Sequence, residues 1–148
     1  MEDLWTKINN DVPRYMKKIC EKYEIICVKL SPIKTALIGD GYALIISFDR
    51  FEAKVSYLQN NGKENILFLC DNYMAEKYNA EDRNNLLEGN GAEILVRNNL
   101  IIIANGLESK WHEVLNGDTK WIDDYKKSKW YAVGRLTVEE SEIINRYI

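Results

Sequence analysis

Asp40 and the pair Glu52 and Lys54 come nearest to a reaction centre in their types and spacing. A carboxylate on one strand and a Glu-x-Lys on the next can hold a divalent cation and polarise a water, the arrangement a metal-dependent nuclease-like enzyme needs. Two residues apart on a strand, Glu52 and Lys54 would share one face. Glu108-Ser109-Lys110 repeats the spacing, however, so the pattern carries little weight alone. Asp40 also sits in Gly39-Asp40-Gly41, a turn that takes Asp for backbone reasons. Other chemistry is thinner. His112 is the single histidine, and its sequence neighbours Trp111 and Glu113 cannot face it on a helix, so no local triad exists. Gly39-x-Gly41 and Gly89-x-Gly91 lack the Lys-Ser/Thr and the third Gly of a phosphate cradle. Cys20, Cys27 and Cys70 are odd in number and scattered, which argues against a disulfide framework and for reduced thiols. One histidine makes no Cys/His zinc cluster. The expectation is a non-enzymatic protein with no metal and no cofactor.

Charge says more by its distribution than by its total. The chain has 148 residues and a net charge of −3. Residues 79–125 hold nine acids (Glu81, Asp82, Glu88, Glu93, Glu108, Glu113, Asp118, Asp123, Asp124) against four bases (Arg83, Arg97, Lys110, Lys120), so the remainder is slightly basic. An acidic segment disfavours nucleic acid and favours a basic protein as partner. A solvated helix face has the same composition. Nine Tyr and four Trp exceed the needs of a small core, which leaves some for a recognition surface. Met1 to Lys7 shows no basic stretch followed by an apolar run, and no apolar run approaches the ~20 residues of a membrane span. A cytoplasmic, non-membrane protein is expected.

The elements that must position these residues read as one α+β domain spanning 1–148. Asp11 caps a helix with Pro13 in its first turn, and Val12, Met16, Ile19, Cys20 and Tyr23 form its apolar face. A shorter helix holds Leu4, Trp5 and Ile8. Strands follow at Ile25–Leu30, Thr35–Ile38 and Tyr42–Phe48. In a fourth strand Ala53, Val55 and Tyr57 alternate with Lys54, Ser56 and Leu58. Asn60-Asn61-Gly62 turns the chain into a fifth strand at Ile66–Leu69. Asn79 caps a helix that Gly89-Asn90-Gly91 stops. Val96, Leu100, Ile103, Leu107, Trp111 and Val114 keep helical period from Ala92 to Leu115. Leu100–Ala104 also fits a strand, but the period on both sides of it favours helix. Trp121-Ile122 opens a short helical turn, and Trp130–Leu136 reads as another strand. Thr137-Val138-Glu139-Glu140 is a capping box for a last helix with Ile143, Ile144 and Tyr147 on its face. The predicted fold is an antiparallel β-meander of five or six strands with helices mainly on one face.

Two fragments carry a family resemblance. Gly41-Tyr42-Ala-Leu-Ile-Ile-Ser-Phe48-Asp49-Arg50, leading to Val55-Ser56-Tyr57-Leu58, resembles the core hairpin of certain small bacterial immunity proteins of polymorphic-toxin systems, of the contact-dependent inhibition type. Trp111-His-Glu-Val-Leu115-Asn-Gly117-Asp118-Thr-Lys-Trp121 resembles their later helix-to-turn segment. Together the fragments cover about a fifth of the chain. The resemblance implies an intracellular protein that binds and neutralises a cognate toxin domain. A basic toxin would meet acids around aromatic anchors, which places the contact at Trp111, Asp118, Trp121, Asp123, Asp124 and Tyr125. Each of those aromatics fits core packing as well. The alternatives are the nuclease-like use of Asp40, Glu52 and Lys54, and a structural or oligomerising domain without separate activity.

Overall fold

The computed structural model describes residues 3–148; Met1 and Glu2, which open the stretch read above for a leader, lie outside the described residues. Strand β3 (Tyr42–Asp49) sets the architecture, because it is buried along both faces except near its end. A strand apolar on both sides has to be central and covered twice. It pairs with β2 (Lys34–Ile38) and β4 (Glu52–Asn60). Outside these lie β1 (Ile26–Ser31) and β5 (Asn65–Phe68), and β6 (Val133–Gly134) closes an antiparallel sheet in the order β1-β2-β3-β4-β5-β6. This is the expected α+β meander. The sixth strand is shorter than Trp130–Leu136, since Val133 and Gly134 alone pair with Phe68 and Leu67. Asn61 makes the β4–β5 turn as read: its Oδ1 accepts the amides of Lys63 at 3.0 Å and Glu64 at 2.9 Å, while Gly62 takes φ +89°.

One face of the sheet presents Leu37, Leu44, Ile46, Phe48, Val55, Tyr57 and Phe68. Seven helices belong to this side: α1 (Leu4–Asn10), α2 (Val12–Tyr15), α3 (Lys17–Tyr23), α4 (Asp71–Ala75), α5 (Ala92–Lys110), α6 (His112–Leu115) and α7 (Trp121–Lys127). The other face presents Ala36, Ile38, Ala43, Ile45, Leu58 and Leu67 and is covered by α8 (Val138–Ile144) through Ile144. The Thr137–Glu140 capping box opens α8 as expected. Glu140 is buried, and its carboxylate meets Lys34 Nζ at 3.0 Å, which pins α8 to β2.

Three expected helices differ. The helix from Asp11 breaks at Met16 into α2 and α3, and the Asp11 carboxylate does not cap it. Instead it accepts from Arg97 at 2.9 Å. Arg97 is buried on α5 and also bonds Glu93 at 2.9 Å and the Tyr15 hydroxyl at 3.1 Å, so the cost of a buried guanidinium draws Asp11 away from the helix end. The helix after Asn79 is a single 3-10 turn, Ala80–Arg83, held by a reciprocal Asn79–Asp82 capping box. The chain leaves it well before Gly89, and Asn98 then holds the loop by accepting from the Leu87 amide at 2.7 Å and donating to its carbonyl at 3.1 Å. The long helix ends at Lys110, where Trp111 breaks it with φ −130° and ψ 29°. Leu100–Ala104 is helical.

Beyond the reach of β5, β4 has backbone donors with no neighbouring strand. Asn99 on α5 accepts the Ala53 amide at 2.6 Å, and Asp71 at the start of α4 accepts the Val55 amide at 2.9 Å. Side chains thus occupy an edge that would otherwise invite pairing.

Gly106 sits inside α5 where the ring of Tyr78 occupies the space of any Cβ. Gly106→Ala is expected to lower unfolding free energy by about 1–3 kcal/mol through overpacking. The buried Tyr78 hydroxyl has no hydrogen-bond partner among the described residues, so Tyr78→Phe is expected to leave stability unchanged or raise it by up to about 1 kcal/mol. Urea titration of the two variants checks both signs.

Candidate partner-binding site

Trp111 determines the local architecture. Its indole N–H donates to the Met74 carbonyl at 3.0 Å, joining the end of α5 to α4. The amide of Val114 returns to the Trp111 carbonyl at 2.9 Å and starts α6. Gly117, at φ +85°, then lets the chain turn, and Asp118 Oδ1 accepts the Lys120 amide at 2.8 Å. Helix α7 follows with Asp123 and Asp124 in its first turn and Lys126 and Lys127 in its last, the charge order that suits the helix dipole.

The aromatic residues of this stretch point inward. Trp111 is 1% exposed, Trp121 6% and Tyr125 fully buried. Trp121 meets Tyr57 edge-on at 4.9 Å between ring centroids, and Tyr125 meets Tyr73 at 5.1 Å. The expectation that Trp111, Trp121 and Tyr125 are outward anchors is therefore corrected: they are core. Helices of four to seven residues hold no structure alone, and these rings supply the apolar contact that docks α6 and α7 on the sheet.

The acids behave otherwise. Asp118, Asp123 and Asp124 are exposed and Glu113 is half-buried. Four of the nine acids in 79–125 are neutralised: Glu81 and Asp82 by Lys110 at 2.5 and 3.1 Å, Glu93 by Arg97 at 2.9 Å, and Glu108 by Lys18 at 3.7 Å. The other five, Glu88, Glu113, Asp118, Asp123 and Asp124, form no ion pair among the described residues. Four of these five lie between Glu113 and Asp124, so the acids of the segment that form no ion pair are concentrated there, with Lys120 among them.

Three of those carboxylates, Glu113, Asp118 and Asp124, edge a cleft of about 240 Å³. Trp111, Trp121 and the half-buried Tyr73 line it with Glu113, Asp118 and Asp124, and Lys77 and Lys120 bring two positive charges. Lys77 lies over the Trp111 ring, 4.0 Å from its centroid. Burial raises the Tyr73 hydroxyl above the usual tyrosine range, and Asp124, Glu113 and Glu76 add to the rise, which marks the convergence of negative charge on this ring. The indole N–H of Trp121 has no hydrogen-bond partner among the described residues. Glu113, Tyr73 and Lys77 were not foreseen. Glu113 lies within the second resembling fragment, whereas Tyr73 and Lys77 arrive from α4 and the turn after it, with no local sequence signal.

The alternative centre does not assemble. Asp40 lies beyond the Tyr42 end of β3, whereas Glu52 pairs with Asp49 at the other end. The eight residues of β3 separate the two ends by roughly 20–25 Å. Glu52 instead pairs with Lys54 at 3.6 Å on the surface. No group of three or more His, Cys, Asp or Glu among the described residues is placed to hold a metal ion. His112 is exposed at the start of α6.

A second surface feature lies at the other end of α5. Phe51 and Leu95 are 58% and 57% exposed and together line adjoining clefts of about 510 and 500 Å³ between the β3–β4 turn and α5. An aromatic in the turn Asp49-Arg50-Phe51-Glu52 is its sequence signal. The chain matches no family model, no curated protein and no solved structure.

The two classes of residue are expected to separate in stability. Trp111→Ala should cost about 3–5 kcal/mol, as for a large buried ring. Asp123→Ala and Asp124→Ala should each cost less than about 1 kcal/mol, the limit of a helix-dipole contribution at an exposed site. Denaturant unfolding of the purified variants measures both.

Proposed function

We propose that this chain is a non-enzymatic protein-binding module, an intracellular immunity protein that binds and neutralises a cognate bacterial toxin domain. The observation that carries the reading is the gathering of Glu113, Asp118 and Asp124, none in an ion pair, at a cleft lined by aromatic rings, with the exposed Asp123 next to Asp124 in the chain. The stretch that resembles immunity proteins, Trp111 to Trp121, forms most of that cleft. Acids free of ion pairs, outnumbering Lys77 and Lys120 at the cleft, accelerate encounter with a basic partner and discriminate against acidic ones. The buried rings beneath it keep the patch rigid, so little ordering entropy is lost on binding. In this reading the acids touch the toxin, and Trp111, Trp121 and Tyr125 act as their support. A lysine or arginine of the toxin seated in the cleft, between Asp118 and Asp124, is the natural anchor contact. No described helix is long and apolar enough to cross a membrane. The toxin would be met in the cytoplasm, before it acts.

The test is co-expression with the protein encoded immediately upstream. The expected result is a complex that leaves a sizing column together, from a neighbour that is toxic alone and harmless in company. Replacing Glu113 by Gln and Asp118, Asp123 and Asp124 by Asn should slow association at least about 10-fold at low ionic strength, and added salt should slow the wild-type protein towards the same rate. A neighbour that neither binds nor kills overturns the reading.

A further inference from the structure

Cys20 and Cys27 take no part in the cleft, yet their sulfur atoms lie 3.3 Å apart. Cys20 is in the last turn of α3, and Cys27 is the second residue of β1. The reversal between them is tightly specified. Glu24 takes φ 55°, a left-handed conformation uncommon for a residue with a side chain. The Cys20 carbonyl accepts the Ile25 amide at 3.0 Å, and the Ile25 side chain is buried. Helix α3 is thereby folded back on β1, and the two cysteines meet across the reversal. Both are half-buried and within reach of a small reagent, whereas Cys70 is fully buried. The odd cysteine count concealed this pair, because the third thiol belongs to the core.

A disulfide bond is about 2.05 Å long, so the sulfurs need to approach by little more than about 1.2 Å. That is a small displacement for two side chains already in contact. The contact is also asymmetric. The bond from Cys27 holds the Cys20 thiol below the usual range, against opposing burial and the charge of Glu21. The same bond, then burial, pushes the Cys27 thiol well above that range. Cys20 is thus the group that reaches the thiolate state first, the requirement for an attacking sulfur, and Cys27 keeps its proton until needed.

We propose that Cys20 and Cys27 form a dithiol site that reacts reversibly with a low-molecular-weight disulfide of the glutathione class. The Cys20 thiolate attacks one sulfur of the small disulfide; a Cys20–S bond forms, the small S–S bond breaks, and one small thiolate leaves. Cys27 then loses its proton and attacks Cys20 Sγ. The Cys20–Cys27 bond forms and the second small thiolate leaves. Two protein thiols have given up two protons and two electrons, and the small disulfide has taken both and departed as two thiols. An excess of the reduced small thiol reverses each step. The closed ring spans only the α3–β1 reversal and leaves the acidic cleft in place, so the site stands apart from the toxin-binding reading.

The test equilibrates the full chain in buffers of oxidised and reduced glutathione, quenches with acid, alkylates the free thiols and maps the peptides. The expected product has lost two hydrogen atoms, links Cys20 to Cys27, and leaves Cys70 as the one alkylated cysteine. Cys27→Ser should stop at a stable glutathione adduct on Cys20, and Cys20→Ser should react at least about 10-fold more slowly than wild type. A stable glutathione adduct on the wild-type chain, a cross-link through Cys70, or three free thiols in excess oxidant would each overturn the proposal. The wild-type peptide map decides the matter even where a serine variant fails to fold.

Discussion

Trp121 is where the parts of this molecule meet. Its ring packs on Tyr57 of β4, Tyr73 of α4, Trp111 at the α5–α6 junction and Tyr125 of α7, with centroids 4.9, 6.4, 6.0 and 5.9 Å away. None of α4, α6 and α7 is longer than seven residues, and isolated helices below ~12–15 residues are not stable in water. Their structure is tertiary, made by aromatic contacts each contributing about 0.5–1.5 kcal/mol beyond the area they bury. Two backbone anchors complete the joint: Tyr42 donates to the Leu115 carbonyl at 2.8 Å, and Tyr125 to the Ala132 carbonyl at 2.9 Å. The carboxylates of α6 and α7 therefore rest on the sheet itself, at one remove.

Charge is distributed by the same logic. Where a cation is buried, the fold answers it with acids, as Asp11 and Glu93 answer Arg97. Where acids line the 3-10 turn, Lys110 answers them. The acids from Glu113 to Asp124 form no ion pair among the described residues, although Lys120 lies among them and Lys77 is held over the Trp111 ring. Carboxylates gathered without ion pairs on a rigid support cost some self-repulsion, and in the proposed reading a basic partner offsets it.

Much of the fold was legible, and the failures have physical causes. Turn chemistry at Asn60-Asn61-Gly62 and alternation in Ala53–Leu58 specify β4 and β5 locally, and both appear where read. The Thr137 capping box is likewise a local signal. The misread helices are tertiary events. Met16 breaks a continuous apolar period, and Asp11 leaves its cap for Arg97, a residue far along the chain. Gly106, inside α5, is a notch for Tyr78, a residue 28 positions earlier in the chain. In the stretch 111–125, residue types gave the aromatics as anchors, and the structure buries them. A tryptophan flanked by acids reads equally as anchor or support, and burial decides between them. Asp40 and Glu52 failed for register: the meander places the two turns that carry them at opposite ends of β3.

The central claim is that the carboxylates from Glu113 to Asp124 are the face presented to a partner. Amide hydrogen exchange on the free chain and on its complex with the upstream-encoded protein tests it most directly. The account predicts added protection over residues 111–125 and none over the Phe51–Leu95 surface. Protection confined to the Phe51–Leu95 surface, with 111–125 unchanged, would contradict it and move the interface to the opposite end of α5.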